Sequence, residues 1–308
     1  MIPLLLTLKD TQPLHGIPMA RFYTYLNMTR QGFHHALATL ERKNTMMSQV
    51  ADQVSAYRVN IDRRAGSRSL YHNLVIKEQY GIGVSKFEGL MAEYELTLKP
   101  LRLKVVTTKS VMQSWNYPNL ANNLSIDNIN QLVVGDLTYV YIGGKRYFLF
   151  CLTDVCSARI VGHHISKRMR SIEAQRAMQK WVKLRGSTNL KECIHHTDGG
   201  SQYFAEKYLT VLNKHDVKIS CAKNCLQNGY AEQRNGLLKH HMIPTMQTSN
   251  EIGVSIGMSR IIKTYNHSRK QESLGWKSPV EYESSLLTAT REATSRKLYN
   301  FKELKNGF

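Results

Sequence analysis

The segment from residue 131 to residue 166 most constrains the fold, because it contains three consecutive strand-like runs. The first two, 131–142 and 146–155, are rich in β-branched and aromatic residues and are joined by Gly-Gly-Lys, which predicts an antiparallel hairpin. Helical periodicity follows in four segments, 171–184, 203–215, 229–242 and 252–265. Short apolar runs between the first three of these helices predict two further strands. Three strands followed by alternating helices and strands predict an α/β fold with a mixed five-stranded sheet.

The region before this sheet, residues 1–109, is predicted to be entirely helical. Apolar residues recur at helical spacing in 18–43, which Asn-Met-Thr interrupts, and again in 66–104. Two helices joined by a short turn are compatible with a helix-turn-helix DNA-binding segment and equally with an ordinary helical hairpin. The rest of the chain is predicted to form an Asn- and Ser-rich linker, a core domain and a basic tail, at 110–129, 130–285 and 286–308.

The charge balance predicts the class of partner. The chain has 42 Lys and Arg against 23 Asp and Glu, a formal net charge of +19. Such a surplus attracts polyanions, so nucleic acid is the expected partner, and a ribosomal or membrane-surface protein is the alternative. No apolar run is long enough for a membrane-spanning helix, and five cysteines are too sparse for a disulfide framework, which favours a reducing compartment.

Three carboxylates occupy positions from which their side chains can converge. Asp136 lies among apolar residues of the first strand, Asp198 follows the fourth strand and precedes Gly-Gly, and Glu232 lies near the start of a helix. Singly, each has an ordinary explanation, as a strand-edge acid, a turn former or a solvated helix residue. As an ordered set on a strongly basic chain, they predict a site of hard oxygen ligands. Mg²⁺ or Mn²⁺ suits such a site better than zinc does.

Five blocks of sequence, in one order, resemble the DDE transposases and retroviral integrases, a superfamily with an RNase H-like catalytic core. They read VVGDLTYV, FLFCLTDVCSARIVGHHIS, HTDGGSQY, NGYAEQRNGLLK and YNHSRKQESLGWKSPVEY. The closer similarity is to the OrfB transposases of the IS-three family of bacterial insertion sequences. The chain departs from that family in a slightly shorter span between Asp198 and Glu232. It also has Arg269-Lys270-Gln271 where Arg-Pro-His is usual.

The resemblance implies roles for particular residues. The catalytic residues, which would also bind two Mg²⁺ or Mn²⁺ ions, are Asp136, Asp198 and Glu232. The resemblance also singles out Lys239. This residue is seven positions after Glu232, which is two helical turns, so we expect both side chains on the same face of the helix. The residues predicted to contact DNA are Lys239, Asn235, Arg234 and Arg269.

The function implied by the resemblance is DNA transposition. The N-terminal region would bind the terminal inverted repeats of the element, and the core would cleave a strand and join its 3′-hydroxyl to target DNA. The implied partners are double-stranded DNA, further copies of the chain and an OrfA protein, either separate or fused to this chain. No membrane partner is implied. The implied location is the bacterial cytoplasm, on the nucleoid. Two alternatives stay open: a nuclease that does not join strands, and a non-catalytic DNA-binding regulator from a decayed element.

Several conspicuous residues are predicted to be structural. Asp154, at the end of the second strand, is predicted to accept strand-end hydrogen bonds. His195 and His196 are adjacent in a strand and point to opposite faces, which argues against a shared metal ion. Trp276 is predicted to pack against the last helix.

Overall fold

The computed structural model describes residues 7, 9–12, 16–99, 117–223, 225–246, 248, 250–288 and 297–298. The chain divides into two compact units. The first contains the residues up to Ala56 together with Ile76–Thr97, and the second contains Tyr57–Val75 and the chain from Leu98 onward. Residues 57–75 fall within the predicted N-terminal region but belong to the same unit as the sheet.

The predicted N-terminal region is helical, as expected. Its helices are α1 Met19–Tyr25, α2 Arg30–Asn60, α3 Ser67–Asn73, α4 Ile76–Tyr80 and α5 Val84–Glu93. All but α3 and the end of α2 lie in the first unit. The core of that unit contains Phe33, Val50 and Phe87, which are fully buried because apolar positions of α2 and α5 recur on one face of each helix.

The second unit contains the predicted five-stranded sheet. Its strands are β2 Leu132–Ile142, β3 Lys145–Asp154, β4 Ile160–Ser166, β5 Ile194–Thr197 and β6 Lys218–Cys221, while β1 Ser125–Ile126 pairs separately with β7 Lys297–Leu298. The order across the sheet is β4-β3-β2-β5-β6. The first three strands in sequence pair antiparallel, and β5 and β6 continue the sheet in parallel. This arrangement is RNase H-like, which confirms the predicted fold class.

Helices cover both faces of this sheet. α6 Ser171–Arg185 and α7 Glu206–Lys214 pack on the face that carries Val133 and Phe150. The other face, which carries Val140 and Leu149, packs against α9 Glu251–His267 and the π-helical turn Leu238–Met242 that continues α8 Gly229–Leu237. The last described helix is α10 Pro279–Thr288. Among the described helices, none combines the length and the apolar character needed to cross a membrane.

Part of the predicted linker is packed rather than loose. In its described part, 117–129, Ala121 and Ile126 are buried against Leu132 and Val134. The Leu120 N–H donates a hydrogen bond to the hydroxyl of Ser220 at 2.8 Å. A polar composition does not by itself indicate a loose linker, because polar side chains can also form hydrogen bonds with the backbone of an ordered segment. Residues 110–116 and most of the predicted tail, 286–308, lie outside the described residues.

Candidate active site

The sheet brings Asp136 and Asp198 to neighbouring positions. β2 and β5 are parallel, and their register pairs Gly135 with Thr197. Asp136 directly follows Gly135, and Asp198 directly follows Thr197. Neighbouring strands are about 4.8 Å apart. Asp136 and Asp198, which are 62 residues apart in sequence, are therefore neighbours in the sheet, just beyond the last paired residues of β2 and β5.

The start of α8, the helix that carries Glu232, is hydrogen-bonded to both of these strands. Asn228, the residue before the helix, donates from Nδ2 to the Gly135 carbonyl at 3.0 Å. On β5, the His196 Nε2 lies 3.0 Å from the carbonyl oxygen of Gln227. Since Glu232 lies in the first turns of α8, these two contacts fix its helix against the strands of Asp136 and Asp198.

A third contact reaches Asp136 itself. Asn235, one turn after Glu232, donates from Nδ2 to Oδ2 of Asp136 at 2.8 Å. Asn235 is buried, whereas Glu232 on the same helix is exposed. The helix therefore holds one carboxylate through an amide and presents the other to solvent.

The three carboxylates, called the carboxylate triad below, act on one another electrostatically. Burial, together with the negative charge of Asp198, raises the pKa of Asp136 to about 7, although the Asn235 amide opposes the rise. Burial raises the pKa of Asp198, and the Gly200 N–H opposes that shift. Glu232 is the most exposed of the three, but partial burial and the charge of Asp198 still raise its pKa. Each shift disfavours the charged form, because burial and the neighbouring carboxylates outweigh the hydrogen bonds that oppose them.

The donor chemistry of the triad fits a hard divalent cation. All three side chains offer only oxygen, which Mg²⁺ and Mn²⁺ prefer, and a cation between them would relieve their repulsion. The side chains are not gathered into a finished ligand set: among the described residues, no three His, Cys, Asp or Glu side chains are arranged to hold a metal ion. The fit therefore rests on charge and ligand type and on the adjacent backbone positions.

Gly135 explains how the strands can approach beside the site. A Cβ built on Gly135 would lie 2.9 Å from Cε1 of His195 and 3.0 Å from side-chain carbons of Leu152 and Thr197. Any side chain would therefore push against β3 and β5 immediately before Asp136. Gly135 is thus a packing requirement of the site.

Comparison with known proteins shows which domain the chain contains and which proteins it resembles. The model of the integrase core domain matches residues 127–224, which include Asp136 and Asp198 and end before Glu232. A 31 kDa protein of insertion element IS600 from Shigella sonnei is 29% identical over 205 residues, 65% of this chain and 75% of that protein. The transposase of insertion sequence element IS629, also from Shigella sonnei, is 29% identical over 160 residues, 51% of this chain and 52% of that protein.

The chain contains an integrase core domain, and the curated proteins it resembles include transposases of insertion sequences. Its integrase core places it among the DDE-type polynucleotidyl transferases. The aligned region spans about half the length of the IS629 relative. Among solved structures, the catalytic core domain of HTLV-2 integrase in complex with magnesium is similar at 17% identity and a TM-score of 0.42. That match covers 54% of this chain and 99% of the integrase core.

Three of the residues that were predicted to contact DNA have internal partners in the structure. Asn235 is bonded to Asp136, as described above. Arg234 lies over the ring of Tyr230 at 4.9 Å and donates to Gln271 Oε1 at 2.8 Å. Arg269 donates from Nε to a carboxylate oxygen of Asp62 at 3.0 Å. DNA contacts by these side chains stay predictions.

Lys239 is placed differently from the other three. It lies in the π-helical turn that begins at Leu238, so it is not on an unbroken α-helix with Glu232. Its Nζ lies 4.1 Å from the ring centroid of Tyr139, on β2. Lys239 is half-buried, and its amine faces an exposed part of the sheet.

Asp154, the last residue of β3, is structural, as predicted. Its carboxylate accepts hydrogen bonds from the backbone N–H groups of Asn130 at 2.8 Å and Cys156 at 3.0 Å. It also lies 3.4 Å from the guanidinium of Arg185. Arg185 and Arg159 both pair with Glu283 of α10. These four residues, Asp154, Arg159, Arg185 and Glu283, form the buried ion cluster.

The two adjacent histidines are confirmed to serve opposite faces. His195 contacts the hydroxyl of Tyr208 at 2.8 Å on one side of the sheet. His196 contacts the hydroxyl of Ser220 at 2.8 Å and the carbonyl of Gln227 on the other. Burial lowers the pKa of both to about 4, so both are neutral hydrogen-bonding residues at pH 7.

Sequence reasoning missed two positioning residues and one aromatic contact. His196 and Asn228 locate the Glu232 helix, but their partners are 31 and 93 residues away in sequence. The only local signal was Asn228, a residue type that is frequent just before a helix. The indole of Trp276 stacks on the ring of His72, with ring centroids 3.8 Å apart, and its packing against the last helix stays a prediction.

Proposed function

We propose that this chain cleaves DNA at the ends of its element and joins the exposed 3′-hydroxyl to target DNA. The observation that carries the proposal is the adjacency of Asp136 and Asp198 on parallel strands, with the Glu232 helix hydrogen-bonded to both strands. The three carboxylates would hold Mg²⁺ or Mn²⁺. When bound, the metal supplies a Lewis acid for the attacking and leaving oxygens of the phosphodiester.

The chain's own residues prepare the site for that chemistry. Asn235 orients the Asp136 carboxylate through a charge-assisted hydrogen bond. His196 and Asn228 hold the helix of Glu232 in place. Because Glu232 is exposed, its carboxylate can meet a ligand that approaches from solvent.

The formal charge of +19 supports DNA as the substrate. We propose that the helical first unit binds the terminal inverted repeats and that Lys239 contacts the phosphates of the element end. Assembly as a multimer on DNA, cooperation with an OrfA protein and a location on the bacterial nucleoid belong to the same proposal. They are supported by the family of the chain rather than by a contact in its fold.

A strand-transfer assay tests the proposal. The purified chain would be incubated with Mg²⁺, a target plasmid and a duplex ending in the inverted repeat that flanks the gene, either intact or already cut to expose the 3′-hydroxyl. We expect joined product from both duplexes. Cleavage without joined product would instead identify a nuclease, and specific binding without cleavage would identify a non-catalytic regulator.

A matched pair of variants separates the triad from general charge effects. Glu232→Gln removes a predicted metal ligand, whereas Glu192→Gln removes the same charge from an exposed residue that pairs with Lys218. We expect the first variant to lose joining and cleavage and the second to retain both. Equal activity of the two variants would contradict the assignment of Glu232.

A further inference from the structure

β2 carries two exposed tyrosines beyond Asp136. Tyr139 is 52% exposed and Tyr141 is 62% exposed, in a strand whose other side chains are mostly buried or half-buried. Their rings are 6.1 Å apart and nearly perpendicular. Large aromatic side chains at this exposure lose little by meeting a flat ligand and gain apolar contact when they do.

Positive charge surrounds these two rings. The Lys239 amine lies 4.1 Å from the Tyr139 ring centroid. Arg146 is paired with Tyr141 across the β2–β3 ladder, and its guanidinium lies 5.4 Å from the ring centroid of Phe148. These cations disfavour a basic or purely apolar partner surface, whereas aromatic faces interleaved with cations suit bases and phosphates.

The edge of the sheet is open at this place. β5 pairs with β2 only from Leu132 to Gly135, and among the described residues no strand pairs with β2 on that side beyond Gly135. Tyr139 is on the opposite face of β2 from Asp136, as odd and even positions of a strand require. Lys239 comes from the face that packs against α8, and its amine still lies 4.1 Å from the Tyr139 ring centroid.

The distance along the strand matches a nucleic acid end. Tyr139 and Tyr141 are three and five residues beyond Asp136, about 10 and 17 Å at about 3.4 Å per residue. Stacked bases advance about 3.4 Å along one strand. The tyrosines therefore lie within a few nucleotides of a phosphate held at Asp136.

We propose that Tyr139 and Tyr141, with Lys239, form a stacking platform for unpaired bases of a single-stranded DNA end. The platform deepens the proposed function, on which it rests, by naming the form of DNA that the site prefers: a duplex with a frayed or overhanging end. The rings stack on the bases, and Lys239 and Arg146 contact the adjacent phosphates.

Binding in the absence of divalent ions tests the platform without catalysis. Fluorescence anisotropy would compare a blunt duplex with the same duplex carrying a short single-stranded 3′ extension that contains 2-aminopurine. We expect tighter binding of the extended duplex and a change in 2-aminopurine fluorescence as the base stacks. The double variant Tyr139→Ala/Tyr141→Ala should lose roughly tenfold in affinity for the extended duplex only.

Two control variants keep the test specific. Tyr139→Phe/Tyr141→Phe retains both rings and should bind as the original chain does, which separates stacking from hydrogen bonding by the hydroxyls. Ile252→Ala, at a 75% exposed position of α9, should change nothing. Because all three positions are exposed, thermal unfolding should be unchanged in every variant.

Four outcomes would overturn the platform. Unchanged discrimination by the alanine variant would show that the rings do not stack on DNA. A lower molar mass of that variant by light scattering, with DNA binding unchanged, would show that the tyrosines contact a second copy of the chain. Failure of the original chain to bind either duplex would overturn the proposed function as well, whereas equal binding of the two duplexes would overturn the platform alone.

Discussion

The carboxylate triad and the buried ion cluster are two groups of acids in the same unit with opposite electrostatics. In the ion cluster, burial raises the pKa of Glu283, but Arg185 and Arg159 outweigh burial, and the pKa lies below its usual value. In the triad, burial and the charge of Asp198 both raise the pKa of Glu232. Among the described residues, no basic side chain forms an ion pair with the triad.

The difference shows how a functional acid is distinguished from a structural one. Asp154 has backbone donors and a guanidinium, so its negative charge is neutralised within the protein. Asp136 has the Asn235 amide, the Leu137 N–H and two neighbouring acids, but no guanidinium. A group of acids that the fold holds together without a cation of its own has an unmet requirement for positive charge, which a bound divalent ion satisfies.

The largest expected effect comes from Asp198→Asn. We expect cleavage and joining to fall to background, a loss greater than the about 10–100-fold that is typical when an outer partner of a metal ligand is removed. DNA binding should persist, and the free energy of unfolding should stay equal or rise because a source of repulsion is gone. The measurements are the strand-transfer assay, duplex binding and urea unfolding. A variant that transfers strands normally would remove Asp198 from the triad.

The second prediction concerns the buried ion cluster. Glu283→Gln leaves Arg185 and Arg159 without their shared counter-charge, and we expect the free energy of unfolding to fall by about 3–5 kcal/mol. Activity per folded molecule should be retained at low temperature. Urea unfolding with Glu251→Gln as the control, an exposed residue paired with Lys167, measures the difference. If Glu283→Gln were as stable as the control, the ion cluster would not be a structural clamp.

The third prediction concerns Asn235→Ala, which removes the hydrogen bond to Asp136 and no charge. We expect a 10–100-fold loss of activity with unchanged binding of DNA, together with a higher Mg²⁺ concentration for half-maximal activity. The Mg²⁺ dependence distinguishes a positioning residue from a DNA contact. A loss of duplex affinity at unchanged Mg²⁺ dependence would instead support the DNA contact predicted from the sequence.

The smallest effect is expected from Glu192→Gln. Glu192 and Lys218 form an exposed pair, with 62% and 50% of their side chains accessible, so solvent screens their interaction. We expect neither strand transfer nor the urea midpoint to change measurably. A clear loss in either measurement would mean that general negative charge, rather than its placement, controls this unit.

Much of the fold was predictable from local patterns. Alternation and β-branched residues indicated the first three strands, and the Gly-Gly-Lys turn joined two of them, because these signals act between near neighbours. The packed residues of the predicted linker were missed for the same reason: Leu120 is bonded to Ser220, which is 100 residues away. Composition describes a segment's preferences and cannot show what the segment packs against.

The candidate site divides in the same way. Ordered spacing and family resemblance selected Asp136, Asp198 and Glu232, and the structure places the two aspartates in adjacent register positions. Side-chain partners were not predictable. Asn235 was assigned to DNA and is bonded to Asp136, and Arg269 was assigned to DNA and is bonded to Asp62.

By itself, the sequence determined the types and order of the elements, the excess of positive charge and the identity of the three acids. Those properties are set by residue type and short-range periodicity. Only the tertiary structure decided which acids are neutralised inside the protein and which are left without a cation. It also decided that Tyr139 and Tyr141 stand exposed beside Lys239. The physical reason is that burial and charge pairing depend on neighbours far apart in the chain, which are defined only once the sheet and its helices have packed.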